Sequence, residues 1–176
     1  MRSIRTFEVL VLPHLDAAHN LARWLVRDPQ VTQDIVQESF LRALRYFDAF
    51  RGDEARPWLL GIVRNSCMNW LIEQQRWPGS VELDAEMIDT LPQPEGSAGS
   101  DPLLALESRR IGVRIDAAIR AMSPQFREIV VLREIEGLAY AEIADIVGIP
   151  IGTVMSRLSR GKAELRQSLA DFRRQN

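Results

Sequence analysis

The stretch YAEIADIVGIPIGTVMSRLSRGK, from Tyr140 to Lys162, predicts two short helices joined by a tight turn. The first helix is expected over about Tyr140–Val147. Gly148 follows it and supplies the positive φ of a sharp turn, which glycine adopts without steric cost. Pro150 and Gly152 then open the second helix. The stretch therefore predicts a helix-turn-helix unit.

The second helix has two unlike faces when its residues are placed at 100° intervals around the axis. The face that we expect to be buried carries Val154, Leu158, Gly161 and Leu165. The opposite face carries small or polar residues, namely Gly152, Met155, Ser156, Ser159, Arg160 and Ala163.

A helix that enters the major groove of DNA needs little bulk, hydroxyl groups and a guanidinium that can bind guanine O6 and N7. The opposite face meets these needs, and Arg157 and Lys162 flank it where phosphates would lie. The pattern favours DNA binding over the alternative, an ordinary solvent-exposed helix in a small bundle.

The composition limits the class of protein. The chain has 176 residues, of which 46% are apolar, as expected for a globular protein with one domain or two small ones. No apolar run approaches the roughly 20 residues that span a bilayer. Glu8, Pro13, His14 and Asp16 interrupt the N-terminal apolar run where a signal peptide needs a longer core. We therefore expect a cytoplasmic protein that does not insert into a membrane.

No pattern of an enzyme or a metal site is recognisable. Cys67 is the single cysteine and lies among apolar residues, so we expect a buried hydrophobic residue rather than a redox group. His14 and His19 are the only histidines, and no HExxH or CxxC spacing occurs. We find no nucleophile–base arrangement and no phosphate loop. We expect no cofactor, no metal, no small-molecule substrate and no enzymatic activity.

Charge is distributed unevenly along the chain, whose formal net charge is −2. Residues 1–75 hold nine basic and nine acidic side chains, and residues 76–108 hold one arginine against seven acidic side chains. Residues 109–176 hold twelve basic against eight acidic side chains. A basic C-terminal block points to a polyanionic partner.

The spacing of apolar residues predicts an all-α protein, because they recur at intervals of three and four without sustained alternation. We expect two small helical domains, at residues 1–76 and 103–176. Residues 77–102 are rich in Pro, Gly, Ser and acidic residues and lack a helical stripe. Such a segment buries too little apolar surface to fold, so we expect an acidic flexible linker.

In the first domain, we expect a helix over Phe7–Val26 that is interrupted near Pro13. Thr32 is expected to cap the next helix, which runs to about Phe47, and a last helix spans about Trp58–Gln75. The expected buried stripe of the middle helix comprises Ile35, Val36, Phe40, Ala43, Leu44 and Phe47.

In the second domain, a helix is expected over about Leu103–Met122. Ser123 and Pro124 would form the N-cap and first turn of the next helix. That helix would run to Glu136, where Gly137 ends it. The helix pair described above completes the domain.

Two segments resemble bacterial RNA polymerase sigma factors of the extracytoplasmic-function (ECF) type, in the sigma-70 family. They are DIVQESFLRALRYFDAFRGDEARPWLLGIVRNSCMNWL (residues 34–71) and LREIEGLAYAEIADIVGIPIGTVMSRLSRGKAELR (residues 132–166). The resemblance implies sigma region 2, a linker and sigma region 4. It implies binding to core RNA polymerase through the β′ clamp coiled coil and the β flap, and recognition of promoter DNA at −10 and −35 elements. An anti-sigma factor commonly holds such proteins inactive.

The resemblance also implies three sets of contacts. The polymerase-docking set is Asp34, Gln37, Glu38, Leu41 and Arg42. The −10 set is Phe50, Arg51, Asp53 and Arg56 near a flipped base, with Arg64, Asn65 and Asn69 along the strand. The −35 set is Thr153, Met155, Ser156, Ser159 and Arg160, to which the helix face adds the flanking Arg157 and Lys162.

For the first two sets we also considered plainer interpretations. A solvent-exposed face, supported by the i,i+4 pair of Glu38 and Arg42, is the alternative to docking. Melting requires a base to leave the stack, which costs a few kcal/mol that a pocket and backbone contacts must offset. We expect Trp58 to lie in the core with Ile62 rather than to stack on such a base.

Two features of the −35 helix need an explanation. Met155 stands where the family often has Lys or Arg. A thioether offers no strong donor, so this site would read a different base or contact a thymine methyl. Gly161 lies inside the helix at a cost of about 1 kcal/mol relative to Ala, which close packing would explain.

Two further points stay open. The acidic linker either mimics nucleic acid inside polymerase or acts as a solubilising tether. For the whole chain, the alternative to a sigma factor is a helix-turn-helix transcriptional regulator with an N-terminal sensing or dimerisation bundle. Such a regulator would bind duplex DNA alone, usually at paired half-sites.

Overall fold

The computed structural model describes residues 4–52, 54–76 and 102–174. All regular elements within these ranges are helical, which confirms the expected all-α class. The expected linker falls outside the described residues up to residue 101. The helices are α1 (Ile4–Val11), α2 (Leu15–Val26), α3 (Pro29–Tyr46), α4 (Ala55–Arg76), α5 (Pro102–Ala121), α6 (Pro124–Val130), α7 (Tyr140–Val147) and α8 (Ile151–Arg174).

The first helical segment is interrupted where the sequence predicts it. A 3₁₀ turn at Leu12–His14 separates α1 from α2, because Pro13 has no N–H to donate. The chain leaves α2 through Arg27, whose φ of 66° is in the left-handed region. Phe7 and Val11 of α1 stay buried despite this interruption.

The expected cap of α3 is wrong. The side chain of Asp28, rather than Thr32, accepts a hydrogen bond from the Val31 N–H at 3.0 Å. The Thr32 hydroxyl instead donates to the Asp28 carbonyl at 2.7 Å. Asp followed by Pro at the first helical position suits the N-cap better, since proline removes one N–H that would lack a partner. The helix therefore begins at Pro29.

The expected buried stripe of α3 holds for four of its six members. Leu44 is 43% exposed and Phe40 is only partly buried. Ser39 is fully buried instead, and its hydroxyl lies 3.4 Å from that of Ser66. A pair of small hydroxyl residues thus lies in the contact between α3 and α4.

Helix α4 begins at Ala55, before the expected Trp58, so the loop ahead of it is shorter. Leu59, Leu60 and Val63 of α4 are fully buried. Cys67 is also fully buried, and burial raises the pKa of its thiol to about 12. Its protonated thiol packs as a small hydrophobic residue, which confirms that expectation.

The second domain departs from the expected helices in two respects. Ser123 occupies the N-cap position of α6, but its hydroxyl makes no capping hydrogen bond. The helix after it changes to a π-helical turn over Val131–Ile135. Gly137 then ends the segment with a φ of 67°, as expected.

Helix α8 packs on α6 through the face that the placement of its residues at 100° intervals predicts to be buried. Val154, Leu158 and Gly161 are buried. A Cβ added at Gly161 would lie 2.8 Å from Cγ2 of Val130. Close approach of the two helices therefore requires glycine there.

The two domains pack against each other, with α4 on α7 and α2 on α6 and the π-helical turn. Arg127 of α6 lies at this contact and is 4% exposed. Its guanidinium donates to the carbonyls of Trp24 at 3.4 Å and Met122 at 2.6 Å, which lie in different domains. Burial, with the charges of Arg27 and Arg120, lowers its pKa to about 10.

Candidate nucleic-acid and protein interfaces

The helix-turn-helix unit is built from α7 and α8. Gly148 has a φ of 73°, and its N–H donates to the Ala144 carbonyl at 2.8 Å. The N–H groups of Thr153 and Val154 donate to the Pro150 carbonyl at 2.9 and 3.1 Å. The glycine turn and the proline start therefore have the expected roles.

The outer face of α8, defined by Gly152, Met155, Ser156, Ser159, Arg160 and Ala163, is exposed along its length. Met155 is 52% exposed. The Ser156 hydroxyl donates to the Thr153 carbonyl at 3.0 Å, so its oxygen remains an acceptor for a base amino group. Small side chains leave room for a groove edge, and Arg160 supplies the guanidinium.

The two flanking cations of α8 are engaged by carboxylates of their own domain. Nζ of Lys162 lies 2.8 Å from a Glu134 carboxylate oxygen. Nη1 of Arg157 lies 3.8 Å from an oxygen of Glu128. These side chains are half-buried, so phosphate would have to compete with a carboxylate for each.

The loop between α3 and α4 carries the first part of the −10 set. Phe50 is 6% exposed, and its ring centroid lies 4.8 Å from that of Trp58. Trp58 is therefore a packing residue, as expected. Arg51 is exposed and donates to the Asp48 carbonyl. Asp53 lies outside the described residues.

The second part of the −10 set lies along α4. Asn65 and Asn69 are exposed, one turn apart. Nη2 of Arg56 lies 2.6 Å from a Glu136 oxygen, and Nε of Arg64 lies 2.9 Å from a Glu128 oxygen. Both carboxylates belong to the other domain.

Sequence reasoning missed these two carboxylates. Glu128 is 2% and Glu136 5% exposed. Burial raises the pKa of Glu136, and the hydrogen bond from Arg56 opposes that change. One signal was present, since Glu128 lies at a core position of the apolar run that continues from Ile129 to Leu132. A buried acid requires a cation or a donor.

The docking set forms one exposed face of α3. Asp34, Gln37 and Glu38 are exposed, and Leu41 is 60% exposed. Nη2 of Arg42 lies 2.6 Å from Glu38. An apolar side chain beside such a pair suits a protein interface with a polar rim.

Over residues 4–52, 54–76 and 102–174, no group of His, Cys, Asp and Glu is placed to hold a metal ion. Within the same ranges, no helix is both long enough and apolar enough to cross a membrane.

Family models match both domains. The model described as sigma-70 region 2 matches residues 10–77, and the model described as sigma-70 region 4 matches residues 112–165. The match to region 2 favours a sigma factor over the alternative of a regulator with an N-terminal sensing bundle.

Curated relatives agree over most of the chain. The chain is 36% identical over 163 residues to the ECF RNA polymerase sigma-E factor of Salmonella typhimurium, covering 90% of this chain and 83% of that protein. It is 32% identical over 176 residues to the RNA polymerase sigma-H factor of Pseudomonas aeruginosa, covering 97% and 90%.

Solved structures share the fold. The sigma factor RpoE from Bartonella quintana, in complex with the anti-sigma factor NepR, has a TM-score of 0.75 at 25% identity and covers 95% of this chain and 98% of that one. CnrH, in complex with the cytosolic domain of CnrY, has a TM-score of 0.65 at 23% identity and covers 97% and 91%. The chain belongs to the ECF type of the sigma-70 family, whose members are not enzymes but transcription initiation factors that bind core RNA polymerase and promoter DNA.

Proposed function

We propose that this sigma factor docks on core polymerase through α3, binds the −10 element through residues 1–76 and reads the −35 element through residues 103–176. Residues 77–102 connect the two parts. The observation that carries the proposal is the exposed outer face of α8, which is small, polar and free of bulky side chains apart from Met155 and Arg160.

At the −35 element, α8 lies in the major groove with Arg160 on a guanine, since its guanidinium can bind O6 and N7 together. Ser156 and Ser159 contact neighbouring base edges, together with Thr153. Met155 contacts a thymine methyl, because a thioether adds apolar surface and no strong donor. Arg157 and Lys162 bind phosphates and set the helix in register.

At the −10 element, the loop before α4 and the exposed side of α4 hold the melted strand. Arg51, Arg56 and Arg64 bind its phosphates, and Asn65 and Asn69 donate to and accept from its bases. Phe50 supports the loop from beneath by packing on Trp58, and Asp53 belongs to the same −10 set.

Docking uses the exposed face of α3. Leu41 supplies the apolar contact to the β′ clamp coiled coil, and Asp34, Gln37, Glu38 and Arg42 form its polar rim. The second domain contacts the β flap. The protein acts in the cytoplasm, where its polymerase and promoters are.

An anti-sigma factor that covers the docking faces controls this activity. Support comes from the Bartonella quintana sigma factor, which was solved with such an inhibitor bound. A pull-down from cells that recovered only polymerase under every growth condition would count against this regulation.

In vitro transcription tests the proposed function. The purified protein is added to core RNA polymerase on pooled genomic fragments, and start sites are mapped. Discrete starts that share two spaced upstream motifs are expected. Absence of starts, together with tight binding of the protein alone to a palindrome, would overturn the proposal.

A further inference from the structure

The two domains meet at carboxylates that neutralise DNA-binding arginines. Glu128 and Glu136 of the second domain are both buried, and their closest cationic partners, Arg64 and Arg56, come from α4 of the first domain. The pairs join residues 64 and 80 positions apart in sequence. Arg56 and Arg64, two of the three arginines that we assign to the −10 strand, are therefore each held by an acid of the other domain.

Glu128 connects both DNA-binding surfaces. One of its oxygens lies 2.9 Å from Arg64 of α4 and the other lies 3.8 Å from Arg157 of α8. A carboxylate presents two acceptor oxygens and a negative charge, as a phosphate does. Glu128 thus presents to both arginines the same kind of acceptor that a DNA phosphate would present.

Apolar packing supports the same arrangement. α4 contacts α7 where Gly61 faces Ile146, and a Cβ added at Gly61 would lie 3.9 Å from Cγ1 of Ile146. Buried ion pairs add little net stability by themselves. The apolar contacts therefore stabilise the closed packing, and the ion pairs make it incompatible with DNA on α4.

The distance between promoter elements requires the domains to separate. Elements near −10 and −35 are about 25 base pairs apart, which is about 85 Å at 3.4 Å per base pair. A compact body of this chain length has a radius of gyration of about 16 Å, or about 40 Å across. The closed protein cannot reach both elements at once.

We propose that the closed packing is an autoinhibited state, in which Glu128 and Glu136 act as an internal mimic of promoter phosphates on Arg64 and Arg56. This inference rests on the assignment of those arginines to the −10 element. Polymerase releases them by holding the two domains apart. A free protein that is closed nine-tenths of the time binds its DNA about tenfold more weakly than an open one.

The test measures binding of the free full-length protein to a labelled single strand that spans a mapped −10 element. The variant E128K/E136K turns both ion pairs into repulsions and is expected to bind about tenfold more tightly. The control D145K/E164K makes the same change in net charge at exposed positions of the same domain, and corrects for general attraction to DNA.

A second variant opens the contact without changing any charge. Gly61→Leu forces a larger side chain against Ile146, whereas Gly61→Ala fits at ordinary contact distance. The leucine variant is expected to show the same gain in binding and a larger radius of gyration in solution scattering. The alanine variant is expected to match the wild type in both.

The outcomes separate two kinds of failure. If neither E128K/E136K nor Gly61→Leu binds the strand more tightly than its control, the autoinhibited state is overturned. If R56A/R64A forms open promoter complexes with core polymerase as well as the wild type does, the assignment of these arginines to DNA is overturned. The proposal that Glu128 and Glu136 block DNA binding by these arginines then fails as well.

Discussion

The sequence predicts DNA binding by both the outer face of α8 and the arginine side of α4. In the structure the two surfaces differ in their contacts with the rest of the protein. The α8 face is exposed, because no other described element packs on it. On α4, Arg56 and Arg64 reach acids of the other domain. The comparison teaches that a cation beside a buried carboxylate of the other domain is already paired, as Arg56 and Arg64 are, whereas Arg160 on an uncovered face is exposed.

The closed packing itself depends on Arg127, which donates to carbonyls near the ends of α2 and α5. Arg127→Met keeps the bulk but leaves these buried acceptors without a donor. We expect a loss of about 3–5 kcal/mol in the free energy of unfolding, measured by urea denaturation. Arg110→Met, at an exposed position of α5, is the control. A loss below about 1 kcal/mol would show that the contact does not depend on this residue.

Removal of a guanidinium from the outer face of α8 is expected to have the next largest effect. Arg160→Ala should weaken promoter binding by about 1–3 kcal/mol through loss of a bidentate contact to guanine. Asn65→Ala should instead reduce strand opening, detected by permanganate reactivity of unpaired thymines. Arg166→Ala, also on α8, controls for the lost charge. Identical defects in Arg160→Ala and Asn65→Ala would contradict separate roles for the outer face of α8 and for α4.

The packing of the buried side of α8 sets the orientation of its outer face. Gly161→Ala would place a methyl 2.8 Å from Val130, so we expect a net loss of about 1–2 kcal/mol after the gain in helix propensity. Gly152→Ala meets nothing within 4 Å and is expected to leave the stability unchanged or raise it slightly. Thermal unfolding of both variants checks this, and a stabilised Gly161→Ala protein would contradict the close packing.

The smallest expected effect concerns Glu136, the buried carboxylate that binds Arg56 of α4. Burial raises the pKa of Glu136 above its value in the unfolded chain. The folded protein therefore binds this proton more tightly, and the stability contributed by the group rises as the pH falls through its folded pKa. Relative to Glu136→Gln, the wild type should gain stability as the pH is lowered from neutral. Glu164→Gln is the control, and a difference that does not vary with pH would refute the shift.

Local patterns were enough to predict much of the fold. Pro13 predicted the break between α1 and α2, and Gly148 predicted the turn before α8, because each residue restricts or frees its own backbone. The placement of residues at 100° intervals around the helix axis predicted the buried and exposed faces of α8. The cap of α3 was missed although Asp28 followed by Pro29 is itself a local N-cap signal, because Thr32 one turn later offers the same kind of side-chain acceptor. The π-helical turn at Val131–Ile135 also had no local signal.

The sequence by itself determined the helical class, the two domains, the helix-turn-helix unit and the candidate polymerase and DNA residues, since these follow from periodicity, single-residue backbone preferences and family motifs. Only the tertiary structure decided that Arg56 and Arg64 face Glu136 and Glu128. Their pairing joins helices far apart in sequence, and no periodic pattern specifies which helices meet. The physical reason is the acids' burial, because a carboxylate withdrawn from water requires a cation, and the packing of two domains supplies it.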